Sequence, residues 1–158
     1  MKKFFLRLGE LICVVLLGIL ITYVCVQDSV STAPFEKVKE AVLAAADTEG
    51  LTERDALEIK NKLSLEGDDY AEFLCFSGDS VMDVRELLII RADNKAALEA
   101  AEKKISKYVT EKAELFDGYA PEESQLISSH VLTVKKGYLL FYIGEEKEKA
   151  VSAFSESL

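Results

Sequence analysis

The chain has 158 residues, of which 28 are acidic and 19 basic, for a net charge of −9. That balance argues against nucleic acid or an anionic lipid surface as a partner, since both need a basic face. No phosphate loop, dinucleotide fingerprint or Gly-x-Ser-x-Gly turn occurs, so the residues name no cofactor and no serine nucleophile.

The first ten residues form a basic start with Lys2, Lys3 and Arg7. Residues 11–26, "LICVVLLGILITYVCV", follow without a charge and would extend about 24 Å as a helix. With Phe4, Phe5, Leu6 and Leu8 added, residues 4–26 are long enough to cross a hydrocarbon layer of about 30 Å. The basic residues before the run predict a cytoplasmic amino terminus and an extracytoplasmic remainder. This is the pattern of a single-pass signal anchor in the cell membrane. A cleaved signal peptide and a secreted chain is the alternative, with a cut after Ser31 open, whereas a cut after Ala33 would place Pro34 directly behind it. Lipidation of Cys25 is disfavoured because Thr22, Tyr23 and Val24, not small residues, precede it. Residues 27–33 read as a linker, and residues 34–158 as one domain. Without Lys2, Lys3, Arg7 and Glu10, 16 basic and 27 acidic residues remain, a net charge of −11. Cys75 is the only cysteine of that domain, so it has no disulfide partner there, and a packed core must supply its stability.

Pro34 suits a first helical position, and Phe35, Val38, Val42 and Ala45 then fall on one stripe. Thr52 to Asp55, "TERD", has the form of a capping box ahead of Ala56, Ile59 and Leu63. Residues 71–77 and 85–92 read as strands that are apolar on both faces. Asp93 is a plausible cap for a long helix whose Leu98, Ala101, Ile105, Tyr108 and Phe116 recur at steps of three and four, and Gly118 supplies its stop. Pro121 falls in a loop. "LISSHVLTV" and "GYLLFYIG" read as strands joined by a tight turn at Lys136 and Gly137. Ala150, Val151, Phe154 and Leu158 mark a last helix. The order α-α-β-β-α-β-β-α predicts an α+β fold, an α/β sandwich with a mostly antiparallel sheet.

The spans "RELLIIRADNKAALEAAEKKISKY" and "FDGYAPEESQLISSHVLTVKKGYLLFYIGEEKEKAVSAF" resemble domain-of-unknown-function family 4358 of Gram-positive bacteria, with the likeness running over roughly residues 35–155. It rests on a strand leading into an Ala- and Lys-rich helix, the Tyr119-x-Pro121 loop and the Lys-Gly-Tyr hairpin, all fold determinants. The resemblance implies a lipoprotein or membrane-anchored surface protein of uncharacterised activity. It also implies genomic neighbours similar to membrane-bound O-acyltransferases, hence an accessory place beside O-acylation of a surface polymer. The chain departs from the lipoprotein members in lacking their lipid-attachment box.

Chemical constellations are sparse. His130 is the only histidine and reads as a polar strand residue; Ser129 beside it would point to the other strand face. Cys75, between Leu74 and Phe76, reads as a small core residue rather than a thiol nucleophile paired with His130. Asp68, Asp69, Asp79 and Asp83 lie in loops at opposite ends of one strand and read as solvated, not as a metal site. No catalytic, cofactor or metal residue is therefore assigned. The strand "YLLFYI", residues 138–143, allows two readings. Either helices cover both faces, or an amphipathic strip of Tyr138, Leu140 and Tyr142 is left to bind a partner. The functional expectation is a membrane-anchored, non-enzymatic binding or accessory protein of the bacterial cell envelope. Its partner would be an envelope protein or surface polymer. The alternative is a carboxylate-dependent envelope hydrolase.

Overall fold

The computed structural model describes residues 14–17, which are helical and exposed, and residues 30–158. The rest of the expected anchor, the basic start and most of the linker lie outside the described residues. Among the described residues no helix is long and apolar enough to cross a membrane. Ser31–Leu158 forms a unit of its own.

Its elements are α1 (Phe35–Ala45), β1 (Thr52–Glu53), α2 (Ala56–Leu63), β2 (Glu72–Ser77), β3 (Glu86–Arg91), α3 (Lys95–Phe116), α4 (Pro121–Ser128), β4 (Val131–Lys135), β5 (Tyr138–Ile143) and α5 (Lys147–Ser157), with a 3₁₀ turn at Gly67–Asp69. The five strands form one antiparallel sheet in the order β1-β2-β3-β5-β4. β3 and β5 are central. Their runs of apolar residues on both faces fit strands covered on both sides, and β5 is buried throughout.

Alternation divides the side chains between two layers. On one face Cys75, Leu88, Ile90, Leu139, Phe141 and Ile143 pack with Ile59 and Leu63 of α2, Leu98, Ala101 and Ile105 of α3 and Ile127 of α4. On the other, Leu74, Leu87, Ile89, Tyr138, Leu140 and Tyr142 pack with Phe35, Val38 and Val42 of α1 and Ala150 and Phe154 of α5. The expected α+β sandwich is thus a three-layer one.

Several local expectations are corrected. Thr52 is no helix cap: it pairs with Ser77 in β1. The cap of α2 is Asp55, whose side chain accepts from Glu58 N at 2.9 Å while Glu58 Oε2 accepts from Asp55 N at 3.1 Å. α3 is capped by Asn94, not Asp93, its Oδ1 accepting from Ala96 N. Pro121 opens α4 instead of lying in a loop, with Glu122 and Glu123 favourable in the first turn. Consequently Leu126–Ser128 are helical and β4 begins only at Val131. The β4–β5 turn has positive φ at Lys136 (49°) and Gly137 (86°), as a two-residue hairpin of matching twist requires.

Candidate functional site

The sheet has two chemically different ends. At one end, Ser31 N donates to Lys136 O at 2.7 Å, Ser31 Oγ to Leu158 O at 2.9 Å and Tyr138 Oη to Ala33 O at 2.8 Å. Here the chain enters the domain, beside the β4–β5 turn and the last residue. The other end lies one strand length away, roughly 20 Å for six residues. It carries the β2–β3 loop, the start of β3 and the end of β5, where Glu86 pairs with Ile143.

Glu86 dominates this remote end. Alternation turns it onto the face of Leu88 and Ile90, and it is only 3% exposed. Its Oε1 accepts from Tyr108 Oη and Lys112 Nζ, both at 2.6 Å, and lies 2.7 Å from Lys62 Nζ. Lys112, itself buried on the core stripe of α3, also donates to Val84 O at 3.0 Å, with its ammonium 5.5 Å from the Tyr108 ring centroid. Burial disfavours the charged forms. It lowers the pKa of Lys112 against the opposing pull of Glu86, and it raises that of Tyr108, helped by the Glu86 carboxylate. One carboxylate thereby ties α2 and α3 to β3.

A cavity of about 370 Å³ opens beside this cluster, lined by Arg54, Glu58, Lys62, Cys75, Ser77 and Glu86 among others. A larger groove, about 560 Å³, runs past Phe35, Lys39, Tyr70 and Phe73. It contains no buried ionisable residue, so the smaller cavity is the more informative one. Cys75 offers no resting nucleophile there, because burial pushes its thiol up to about 12 and the reactive form is the thiolate.

The loop between β2 and β3 is clamped at both ends. Arg54 donates through Nε to Ser77 Oγ (2.9 Å) and through one Nη to Ser77 O, Gly78 O and Asp79 Oδ1 (2.6 Å). Thr52 Oγ1 holds the other Asp79 oxygen at 3.0 Å. Arg85 forks onto Asp83 at 2.9 and 2.7 Å and reaches Asp47 and Glu49 O. A Cβ on Gly78 would lie 2.5 Å from Asp83 Cβ, so that close approach requires glycine. The clamped loop carries Val81 and Met82 at its tip, 87% and 43% exposed.

Asp79, still largely exposed, and Asp83 are both arginine partners. Among the described residues no set of three or more His, Cys, Asp or Glu is arranged to hold a metal ion. His130 precedes β4 rather than lying within it, and its Nδ1 is 2.9 Å from Ile127 O. Ser129 is the C-cap of α4, not a strand residue. Cys75 in β2 and His130 at the head of β4 are separated by β3 and β5, about 14 Å at the usual strand spacing, and form no pair. Tyr138, Leu140 and Tyr142 are each 0% exposed. The sequence-based strip is not a surface, because α1 and α5 cover it, while Tyr138 Oη donates to Ala33 O and Tyr142 Oη accepts from Asp47 N at 3.3 Å. The sequence reading missed the Glu86–Lys112 cluster, although both are charged residues at core positions of otherwise apolar patterns.

No curated protein and no solved structure matches the chain. A family model does: the one described as Domain of unknown function (DUF4358) matches residues 44–144. That span runs from the end of α1 through β5 and covers well over half of the molecule, so the chain belongs to the DUF4358 family.

Proposed function

We propose that this chain is a membrane-tethered, extracytoplasmic binding module of the cell envelope, engaging a partner protein through the end of the sheet opposite Ser31. The observation that carries this reading is the clamped β2–β3 loop. Holding Val81 and Met82 in water on a fixed loop brings the fold no burial, yet a pre-ordered apolar tip lowers the entropic cost of association. Methionine suits such a contact because its side chain adapts to the surface it meets. A sugar polymer is the weaker fit: the chain has no tryptophan, and Val81 and Met82 give a sugar ring no aromatic face. The loop lies at the end of the sheet opposite Ser31 and Ala33, where the chain enters the domain. An accessory role beside polymer O-acylation is compatible with this geometry.

The hydrolase reading has less behind it. Glu58 and Glu86 share a cavity, but Glu58 is spent on Arg54 and on its own helix cap, and Glu86 Oε1 is held by Tyr108 and Lys112 and ion-paired with Lys62. Neither is placed as a free acid or base.

The test is photocrosslinking in native membranes from position 81, with position 103 on the exposed side of α3 as the control. A discrete protein adduct from position 81, absent from 103 and reduced by Met82→Ser, is the expected result. Equal adduct patterns at both positions would overturn the proposal.

A further inference from the structure

Glu86 uses its two oxygens unequally. Tyr108 and Lys112 donate to Oε1 and the Lys62 ammonium is ion-paired with it, and among the described residues no hydrogen bond reaches Oε2. Among the described residues no fully enclosed side-chain oxygen or nitrogen lacks a partner. Oε2 is thus accessible although its side chain is only 4% exposed, and the open space Glu86 lines is the 370 Å³ cavity. Beside it stands Lys62, its side chain 38% exposed. An ammonium group has three donors, so donors remain after the contact with Glu86. The hydroxyl of Ser77, which accepts from Arg54 Nε, can still donate. The cavity therefore presents an unfilled acceptor and unfilled donors, held a few ångströms apart by an existing ion pair.

A ligand with one charge fits this arrangement poorly. With Lys62 and Lys112 already offsetting the charge of Glu86, a simple anion would leave Glu86 Oε2 without a donor, and a simple cation would leave the remaining donors of Lys62 without an acceptor. A ligand carrying both charges on neighbouring atoms satisfies both groups, with its ammonium on Glu86 Oε2 and its carboxylate on Lys62 and Ser77. The volume lies at the lower end of the range for small-molecule sites, which begins near 300 Å³. We infer that the cavity between α2 and the adjoining ends of β2 and β3 is a binding site for a small zwitterion of the α-amino acid class. The site shares Arg54, Ser77 and Gly78 with the loop clamp but includes neither Val81 nor Met82.

The test uses the full chain in detergent micelles, with alanine and glycine as probes and acetate and methylammonium as singly charged controls. Ligands of so few atoms reach roughly millimolar affinity, so titration to about 20 mM is sufficient. Saturable amide shifts at Lys62, Ser77, Gly78 and Glu86 are expected for alanine and glycine, with both controls about tenfold weaker or more. Lys62→Gln, at a half-exposed site, should keep the dispersed amide spectrum and weaken alanine binding about tenfold. No saturable shift with either amino acid would overturn the inference and leave the cluster as a structural tie. So would acetate or methylammonium binding as well as alanine, or unchanged binding in folded Lys62→Gln. The wild-type titration decides by itself should that variant misfold.

Discussion

The two faces of the sheet bury polar groups by different means, and neighbouring residues Arg85 and Glu86 show the difference. Glu86 points into the layer of α2, α3 and α4 with its side chain 4% exposed, where it meets Lys112 and Tyr108. Arg85 points the other way, 26% exposed at the rim, and pairs with Asp83 and Asp47. Beneath α1 and α5 the buried polar side chains carry neutral hydroxyls, those of Tyr138, Tyr142 and Ser157, each reaching a backbone group. One face thus accepts a buried charge network and the other excludes charge to its edge. The family match contains nearly all of the first layer, whereas α5 and most of α1 lie outside it. The lesson is that the charged layer, not the one closed by the chain ends, is where a ligand finds unsatisfied groups.

The neutral face should be the easier to destroy. Tyr138→Ser with Tyr142→Ser removes two fully buried rings, at about 3–5 kcal/mol each, against a total stability of about 5–15 kcal/mol for a domain. The expected outcome is loss of the cooperative unfolding transition in urea. A melting temperature close to wild type would mean that α1 and α5 do not hold this face shut.

The charged face should break through one residue and recover through two. Glu86→Leu leaves Lys112 with the Val84 carbonyl and the Tyr108 ring but no counter-charge in contact, a buried ammonium expected to cost about 3–5 kcal/mol. Glu86→Leu with Lys112→Met replaces the pair by apolar groups and should restore most of that loss. Chemical denaturation of the three proteins checks it. If the single variant loses less than about 1 kcal/mol, Lys112 escapes to water and the contrast between the faces fails.

What the sequence disclosed follows the same division. β3 and β5 were legible because continuous apolar runs bounded by turn residues have few other solutions. The Lys136–Gly137 turn and the Gly118 stop were legible because positive φ favours glycine. β1 was not, since two polar residues carry no periodic signal and form a strand only because Ser77 and Phe76 pair with them. The cap of α2 was readable one turn later, in the Asp55-to-Glu58 spacing. α4 was signalled by Pro121 with two glutamates behind it, but Leu126 and Ile127 were drawn into the strand that follows. The choice between a covered and a bare Tyr138 face depends on where α1 and α5 dock, and periodicity says only that each helix has one apolar stripe. Glu86 alternates with Leu88 and Ile90, and Lys112 falls between Val109 and Phe116. Those spacings were visible; that the two residues meet was not.

Cys75 sharpens the comparison at lower energy. It belongs to the charged layer yet is itself apolar in behaviour, buried and with its thiol pushed up to about 12. Iodoacetamide at pH 8 should leave it unmodified in the folded protein and alkylate it in urea, as mass mapping of the peptide that carries Cys75 would show. Cys75→Ala should cost about 1 kcal/mol, the price of a small cavity. Rapid alkylation of folded protein would mean that the layer opens locally around β2.

The smallest expected effect concerns the rim of the other face and is read by loop order rather than stability. Hydrogen bonds from Arg54 hold the Asp79 carboxyl below its ordinary value, and those from Arg85 do the same for Asp83. A carboxyl depressed in the folded state contributes stability that is fully present above its unfolded pKa, near 3.9, and is lost as pH falls through the lower folded value. The arginines remain charged throughout, so only the carboxylates can release the clamp. The loop should stay ordered from pH 7 to about 4 and loosen below that. Amide order parameters at Val81 and Met82 should fall from about 0.85 toward 0.6, with little change in global stability because these pairs are solvent-screened. Arg85→Gln should produce part of the same loosening at pH 7, since it removes the fork that holds Asp83 at the second leg of the loop. Order parameters that stay flat from pH 7 to pH 2 would show that backbone geometry alone fixes the tip. The arginine pairs would then be bystanders, and the rim would differ from the buried cluster in exposure but not in what its charges accomplish.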